Sequence, residues 1–104
     1  VEGRDDDMIV SGGENVFPEE VEDCINSHPA VLEAAVVGVP DEEFGQRLRA
    51  AVTLAPGQAV TADELSAHVR DQLARYKVPR EILFLDELPR TATGKILRRK
   101  IAEL

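Results

Sequence analysis

The residues with the clearest chemical potential lie close to the end of the sequence. Lys95 follows Gly94, and two further cations, Arg98 and Arg99, come soon after. A lysine ammonium can contact a phosphate as a point charge, and an arginine guanidinium can bind one with two hydrogen bonds. In a helix, steps of about 100° per residue would place these three cations on one side. The pattern predicts a site for an anion, while an ordinary amphipathic helix preceded by a turn explains the same residues.

A nucleotide-binding P-loop is excluded at this position by its spacing. A P-loop has a glycine five residues before its second glycine, and a serine or threonine after its lysine. Pro89 and Ile96 occupy those positions around Gly94 and Lys95. Any phosphate contact by Lys95 must therefore arise from a different kind of loop.

A second group of candidates lies earlier in the chain. Gly12 and Gly13 permit positive φ angles or the close approach of another group, although a plain hairpin turn needs the same residues. Phe44 is an aromatic residue in a predicted loop. Lys77 and Arg80 follow a predicted helix and could meet an anion or simply end that helix.

Other reactive residue types are assigned to structural roles. Asp5, Asp6 and Asp7 are consecutive, so their carboxylates do not easily converge on one metal ion, and no metal site is predicted. Cys24 falls on the apolar stripe of a helix and is expected in the core. His28 and His68 have no partner at ligand or triad spacing and are expected on the surface.

Composition limits the class of protein. The 104 residues fit one domain, and 43% hydrophobic with 31% charged residues is typical of a globular chain. A single cysteine excludes a disulfide framework and suits a reducing cytoplasm. No apolar run approaches the ~20 residues that cross a bilayer, and no leader-like segment opens the sequence. We therefore expect a cytoplasmic domain.

The charge is unevenly distributed along the chain. The net charge of −8 argues against general affinity for nucleic acid. Through Glu43 there are 13 acidic residues and one basic residue, whereas from Phe44 onward there are 11 basic and 7 acidic residues. The basic charge is densest at the end, between Arg90 and Lys100. This basic tail predicts an anionic ligand or a docking face, and a solvated helix face is the alternative.

Turn signals and apolar spacing predict eight short elements. Pro18 and the acidic residues after it suit the start of a helix, which is predicted to run to about Asn26. Thr61 and Glu64 have the spacing of a capping box at the start of a second helix. The predicted strands are Met8–Val10, Val16–Phe17, Val31–Val39, Leu48–Leu54 and Ile82–Leu85, with a loop at Pro40–Gln46.

The second helix is predicted to extend to Val78-Pro79. Its core face would be Leu65, Val69, Leu73 and Tyr76. A final helix after Lys95 completes the order ββαββαβα. This order predicts an α+β fold, a small sheet of about three strands covered by helices and preceded by a β-hairpin with a glycine loop.

Four longer motifs span the sequence. They are GRDDDMIVSGGENVFPEEVE (Gly3 to Glu22), PDEEFGQ (Pro40 to Gln46), YKVPR (Tyr76 to Arg80) and LPRTATGKILRRKI (Leu88 to Ile101). Together they resemble the C-terminal domain of the adenylate-forming enzymes, specifically of the acyl-CoA synthetase branch. The resemblance runs end to end, and it is stronger to fatty-acyl or aryl-CoA ligases than to peptide-synthetase adenylation domains or luciferases.

The resemblance implies a two-step reaction and a mobile domain. ATP and a carboxylic acid, expected to be a fatty acid, give an acyl-adenylate and pyrophosphate; the CoA thiol then displaces AMP. Residues 8–104 would form a lid that rotates between the half-reactions. Residues 1–7 would be a hinge or linker to a large N-terminal domain, which holds most of the ATP and acid site and the Mg²⁺. The lid alone is expected to be inactive.

The resemblance also implies roles for individual residues in adenylation. Lys95 matches the lysine that contacts the acid and the α-phosphate of ATP. Arg4 matches a residue that helps to hold the nucleotide ribose. Asp6 matches the hinge position, with Asp7 as the other candidate.

A second set of residues is implied for the thioester step. Gly12 and Gly13 match the loop that lines the pantetheine tunnel, where a side chain would block the thiol. Phe44 matches an aromatic position near that tunnel, often tryptophan in relatives. Lys77 and Arg80 match positions that contact CoA phosphates.

Two rival functions fit part of the same evidence. An adenylation domain could load a carrier protein instead of free CoA, or a non-catalytic module could bind anions with its basic face. The segment around Lys95 also resembles the site at which protein acetyltransferases silence bacterial acyl-CoA synthetases. Acetylation there would remove the lysine charge.

Overall fold

A computed structural model of the chain describes residues 8–104, which begin with a hairpin. Strands β1 (Ile9–Ser11) and β2 (Glu14–Val16) pair in antiparallel fashion. Gly12 and Gly13 join them with φ angles of 61° and 85°. A two-residue turn of type I′ requires such positive angles, and glycine adopts them without steric cost. The predicted hairpin with a glycine loop is confirmed.

Helix α1 (Pro18–Asn26) begins as the sequence predicts. Proline occupies its first turn, where a missing N–H has no cost, and two glutamates follow it near the positive end of the helix dipole. Cys24 is buried and free, as expected for a residue on the apolar stripe. The helix therefore places its apolar face against the sheet that follows.

The main sheet contains three strands in the order β3-β4-β5. Strand β3 (Val31–Asp41) pairs antiparallel with β4 (Gly45–Leu54), and β4 pairs parallel with β5 (Glu81–Phe84). The loop predicted at Pro40–Gln46 is shorter than expected, because the backbone ladder continues through its ends to the pair Asp41 and Gly45. Backbone pairing does not depend on apolar side chains, so the pattern of apolar residues did not predict the polar ends of these strands.

Helix α2 (Ala62–Gln72) makes the crossover between the parallel strands β4 and β5. The predicted capping box is present at its start. Glu64 N donates to Thr61 Oγ1 at 3.1 Å, and Thr61 N donates to Glu64 Oε1 at 2.8 Å. Two N–H groups that lack partners within the helix are thereby satisfied.

Replacing Thr61 with alanine removes one of these acceptors. We expect the free energy of unfolding of the chain to fall by about 1 kcal/mol, measured by denaturant titration. Thr61→Ser keeps the hydroxyl and is the matched control. An equal loss in both variants would contradict the role of the hydroxyl.

The end of α2 corrects the sequence prediction. The helix stops at Gln72, because Leu73 has extended backbone angles, and Tyr76 lies in a separate 3₁₀ turn at Arg75–Lys77. Leu73 and Val78 pack against the core on either side of this break. The helical spacing of apolar residues thus continues in the sequence beyond the residue at which the helix ends. Tyr76 is exposed instead of facing the core.

The predicted α+β fold with a three-stranded sheet is confirmed, and the sheet is covered on both faces. The hairpin, α1 and α2 cover one face, where Val36 and Leu48 pack with Val21 and Leu65. The other face packs Val37 against the chain after β5, including the short helix α3 (Arg98–Ala102). The central strands therefore carry two separate apolar layers on alternate residues.

The histidines correct a second prediction. His28 and His68 are half-buried and lie edge to face, with ring centroids 5.2 Å apart. His68 Nε2 is also 2.8 Å from Ser27 Oγ. Packing of α1 against α2 brings these residues together over 40 positions of sequence, so spacing along the chain could not reveal the contact.

Within residues 8–104, no helix has the length and apolar character needed to span a membrane.

Candidate functional site

A groove of about 370 Å³ opens beside the glycine loop of the hairpin. We call it the glycine-loop groove. Gly12 N donates a hydrogen bond to Phe44 O at 2.9 Å, which joins the hairpin to the turn between β3 and β4. The guanidinium carbon of Arg80 lies 4.1 Å from the centroid of the Phe44 ring, at stacking distance. The remaining lining residues are Ser11, Glu14, Leu48, Arg75, Tyr76 and Val78.

The two loop glycines differ in what surrounds them. A Cβ on Gly12 would lie 3.2 Å from Phe44 Cδ1, which is tighter than ordinary van der Waals contact. A Cβ on Gly13 would meet nothing within 4 Å. Both positions need glycine for their positive φ, but only Gly12 lies in the wall of the groove.

The turn that carries Phe44 is held by an aspartate. Asp41 Oδ1 accepts hydrogen bonds from Glu43 N at 2.8 Å and Phe44 N at 3.0 Å. These N–H groups, that of Phe44 first, hold the pKa of the Asp41 carboxyl below its usual value. The charged carboxylate thus fixes the backbone that presents Phe44 to the groove.

The structure separates the predicted cations. Arg80 lines the glycine-loop groove, whereas Lys77 turns away and places its Nζ 2.8 Å from Glu20 Oε1. The hydrogen bond that Lys77 donates to the Glu20 carboxylate raises the pKa of Lys77. Arg75 and Tyr76 line the groove instead, and sequence reasoning missed both. Their only signal was the cluster of basic residues around the YKVPR motif, because no spacing rule places them beside Gly12.

Lys95 lies in a tight exposed turn, which we call the Lys95 loop (Arg90–Ile96). Arg90 and Ile96 form an isolated bridge, and Thr91 N donates to Lys95 O at 2.8 Å. Gly94 has a φ of 94°, and its carbonyl accepts from Arg90 Nη1 at 2.8 Å. The loop is thus ordered by hydrogen bonds among its own residues, and the Lys95 side chain is exposed.

The helix predicted after Lys95 begins later than expected. Helix α3 begins only at Arg98, so Lys95 is outside it and the three cations do not share a helical face. Arg98 pairs with Glu22 of α1 and also donates to Val36 O at 3.2 Å. Arg98 is therefore engaged within the fold and does not stand behind Lys95 as a second phosphate ligand.

The glycine-loop groove and the Lys95 loop occupy different parts of the domain. The groove adjoins the helix-covered face of the sheet, at the β3–β4 turn, whereas Ile96 packs on the other face. The Lys95 loop is tied to β3 by an ion pair between Arg90 and Glu33. Glu33 and Asp41 are eight residues apart in β3, which corresponds to roughly 26 Å at about 3.3 Å per residue. The two candidate sites are therefore anchored at opposite ends of one strand.

Some predicted positions lie outside the described residues. These are Arg4, Asp6 and its alternative Asp7. Within the part of the chain that the structure describes, no three histidine, cysteine, aspartate or glutamate side chains are grouped so that they could hold a metal ion.

Known proteins are similar to this chain in both sequence and fold. The chain is 46% identical over 103 residues to "Putative acyl-CoA synthetase YngI" of Bacillus subtilis, covering 99% of this chain and 19% of the relative. It is 54% identical over 93 residues to a 3-oxocholest-4-en-26-oate–CoA ligase of Rhodococcus rhodochrous, covering 89% of this chain and 17% of that relative. The solved structure of a Brucella canis acyl-CoA synthetase matches with a TM-score of 0.89 and 47% identity, covering 97% of this chain and 19% of that one.

The extent of these matches has two consequences. The chain spans about a fifth of the length of the curated relatives that it matches. The sequence model of one domain family, described as the AMP-binding enzyme C-terminal domain, matches residues 20–95. That match covers most of the chain, and the α+β fold agrees with solved members. The chain belongs to the AMP-binding enzyme C-terminal domain family.

Proposed function

We propose that this chain is the mobile C-terminal domain of a longer AMP-forming acyl-CoA synthetase, here called the full-length enzyme. The carboxylate of the acid attacks the α-phosphorus of ATP, which forms an acyl-adenylate and releases pyrophosphate. The CoA thiol then loses its proton and attacks the acyl carbon, which forms the thioester and releases AMP. The acid that we propose is a fatty acid.

The observation that carries this proposal is the separation of the two candidate sites. The Lys95 loop and the glycine-loop groove are anchored at opposite ends of β3 and lie toward opposite faces of the sheet. One rigid domain could present both to a single reaction centre only by turning between the half-reactions. A binding module with one anionic ligand would have no use for two such sites.

In the first half-reaction Lys95 acts as the catalytic cation. Negative charge accumulates on the α-phosphate and on the attacking carboxylate oxygen, and a placed ammonium lowers that barrier electrostatically. Its exposure and the ordered loop around it allow it to enter a site supplied by the N-terminal domain. Acetylation of Lys95 by a protein acetyltransferase would remove this charge and stop adenylation.

In the second half-reaction the glycine-loop groove takes the pantetheine arm of CoA. Gly12 leaves room beside Phe44, and the guanidinium groups of Arg75 and Arg80 suit the phosphates of CoA. Lys77 would reach a phosphate only by leaving Glu20. Gly13 shapes the turn without forming the wall.

The remaining roles belong to the junction with the N-terminal domain. We propose Arg4 as a ribose contact, Asp6 as the hinge, residues 1–7 as the linker and residues 8–104 as the lid. Mg²⁺ would be held by the N-terminal domain. We also propose that the full-length enzyme is cytoplasmic.

A domain exchange tests the proposal directly. This chain replaces the corresponding domain of the Brucella canis acyl-CoA synthetase, and pyrophosphate release and thioester formation are measured with free CoA or a phosphopantetheine carrier protein. We expect the hybrid to regain both half-reactions with CoA, while the truncated synthetase makes no thioester. Transfer only to the carrier would favour the carrier-loading function, and a hybrid without adenylation would contradict the proposal.

A further inference from the structure

The outer edge of β3 is closed by two side chains from distant parts of the chain. Strand β3 is at the edge of its sheet, so the N–H and C=O of Val36 that face away from β4 lack a strand partner. Glu22 Oε2 accepts from Val36 N at 2.7 Å, and Arg98 Nη1 donates to Val36 O at 3.2 Å. Arg98 also pairs with Glu22, with Nη2 at 3.3 Å from Oε1.

This Glu22–Arg98 pair joins α1 to the start of α3 across 76 positions of sequence. Glu22 is only 8% exposed, so its carboxylate depends on these partners instead of water. Removing one member of such a pair leaves a charge that is poorly solvated. The pair is therefore a strong constraint on where α3 begins.

The other end of α3 has an independent attachment. The buried guanidinium of Arg49 donates from Nη1 to the carbonyl oxygens of Ile101, Ala102 and Leu104 at 3.1, 2.9 and 2.9 Å. Ile101 itself is fully buried. Loss of Arg98 would thus release the start of α3 while its end stays docked.

The start of α3 is also the point at which the Lys95 loop rejoins the fold. Arg98 is three residues after Lys95, and Leu97 N donates to Pro89 O at 2.8 Å beneath the loop. On the other side of the loop, Arg90 pairs with Glu33. An arginine–carboxylate pair therefore holds each end of the Lys95 loop.

We propose that Arg98, held by Glu22, is a positioning residue that places Lys95 for adenylation. This inference rests on the proposed function of Lys95. Arg98 does not contact the reactants; it fixes the end of the loop that presents the catalytic lysine. Displacement of a reacting group by about 1 Å can cost on the order of 10²-fold in rate, so loss of this attachment is expected to slow adenylation.

The test compares the two half-reactions in the full-length enzyme. We expect Arg98→Met to lower the kcat of adenylation by roughly 10²-fold, with a smaller change in the KM for ATP. Conversion of supplied acyl-adenylate to thioester should be unchanged, because the glycine-loop groove keeps its contacts. Arg98→Lys, which retains the charge and one hydrogen bond to Glu22, should recover part of the lost rate. Lys100→Met, an exposed cation on the same helix, is the matched control.

Hydrogen exchange provides a readout of position. In Arg98→Met we expect faster amide exchange at residues 91–97, with unchanged protection in α1 and β4. An equal loss of both half-reactions, or adenylation at the normal rate, would overturn the inference. If Arg98→Met does not fold, the test uses Arg98→Lys and Glu22→Gln and compares the ratio of the adenylation rate to the thioester-formation rate in each variant. A normal ratio in both variants would overturn the inference. Lys95→Ala is run in parallel: if it leaves adenylation intact, the proposed function has failed.

Discussion

Replacing Lys95 with alanine in the full-length enzyme is expected to slow adenylation by about 10²- to 10³-fold, the usual cost of removing one preorganised group that stabilises transition-state charge. In the proposed mechanism the ammonium acts only while charge builds up on the α-phosphate. We assign thioester formation to the glycine-loop groove at the other end of β3, so its rate from supplied acyl-adenylate should change by no more than a few-fold. Pyrophosphate release and thioester yield, measured separately, give the two rates.

Two further variants sharpen this experiment. Lys100→Ala removes another exposed lysine from the same segment and should leave adenylation unchanged. Lys95→Arg keeps the positive charge but replaces a compact ammonium with a planar guanidinium, so we expect an adenylation rate between those of the unchanged enzyme and Lys95→Ala. Equal losses in both half-reactions after Lys95→Ala would be incompatible with the role assigned to the lysine.

The second large effect is expected at Gly12. Gly12→Leu should reduce thioester formation by roughly 10²-fold, as expected when a reacting group is displaced, and should leave adenylation nearly unchanged. Its Cβ alone would approach Phe44 to 3.2 Å, and because Gly12 lines the groove we expect the remaining side-chain atoms to enter it. The readouts are thioester yield from supplied acyl-adenylate and pyrophosphate release.

Gly13 provides a matched control in the same turn. Gly13→Leu imposes a similar backbone strain, because its φ is 85° against 61° for Gly12, but its side chain would enter open space. We therefore expect a much smaller loss of thioester formation. If both variants lose the thioester step equally, the turn conformation, and not the space beside Phe44, controls that step.

Local patterns in the sequence predicted the framework well. The proline at the start of α1, the Thr61–Glu64 capping box and the glycine turn are all present where expected. Each depends on the steric preferences or hydrogen bonds of neighbouring residues. These local signals mark where helices and strands begin and end, and so predict their order. The four longer motifs identified the family.

The same local patterns failed where a contact depends on a distant residue. Apolar spacing predicted that α2 continues past Leu73, but the helix ends before that residue and the chain turns toward β5. Helical periodicity grouped Arg98 with Lys95, whereas Glu22 and Val36 bind Arg98 from 76 and 62 positions away. Lys77 and Arg80 looked equivalent as phosphate ligands, yet Glu20 engages the lysine and Phe44 stacks on the arginine.

The sequence by itself determined the family, the order of strands and helices, and the positions of Lys95 and Gly12 in their loops. Backbone sterics and short-range hydrogen bonds decide those features within a few residues. Only the tertiary structure decided which side chains meet. It brought Arg75 and Arg80 to one groove, turned Lys77 toward Glu20, and placed the Lys95 loop at the other end of β3. Those outcomes depend on how the helices and strands pack, because packing sets the direction of a side chain and the partner that it reaches.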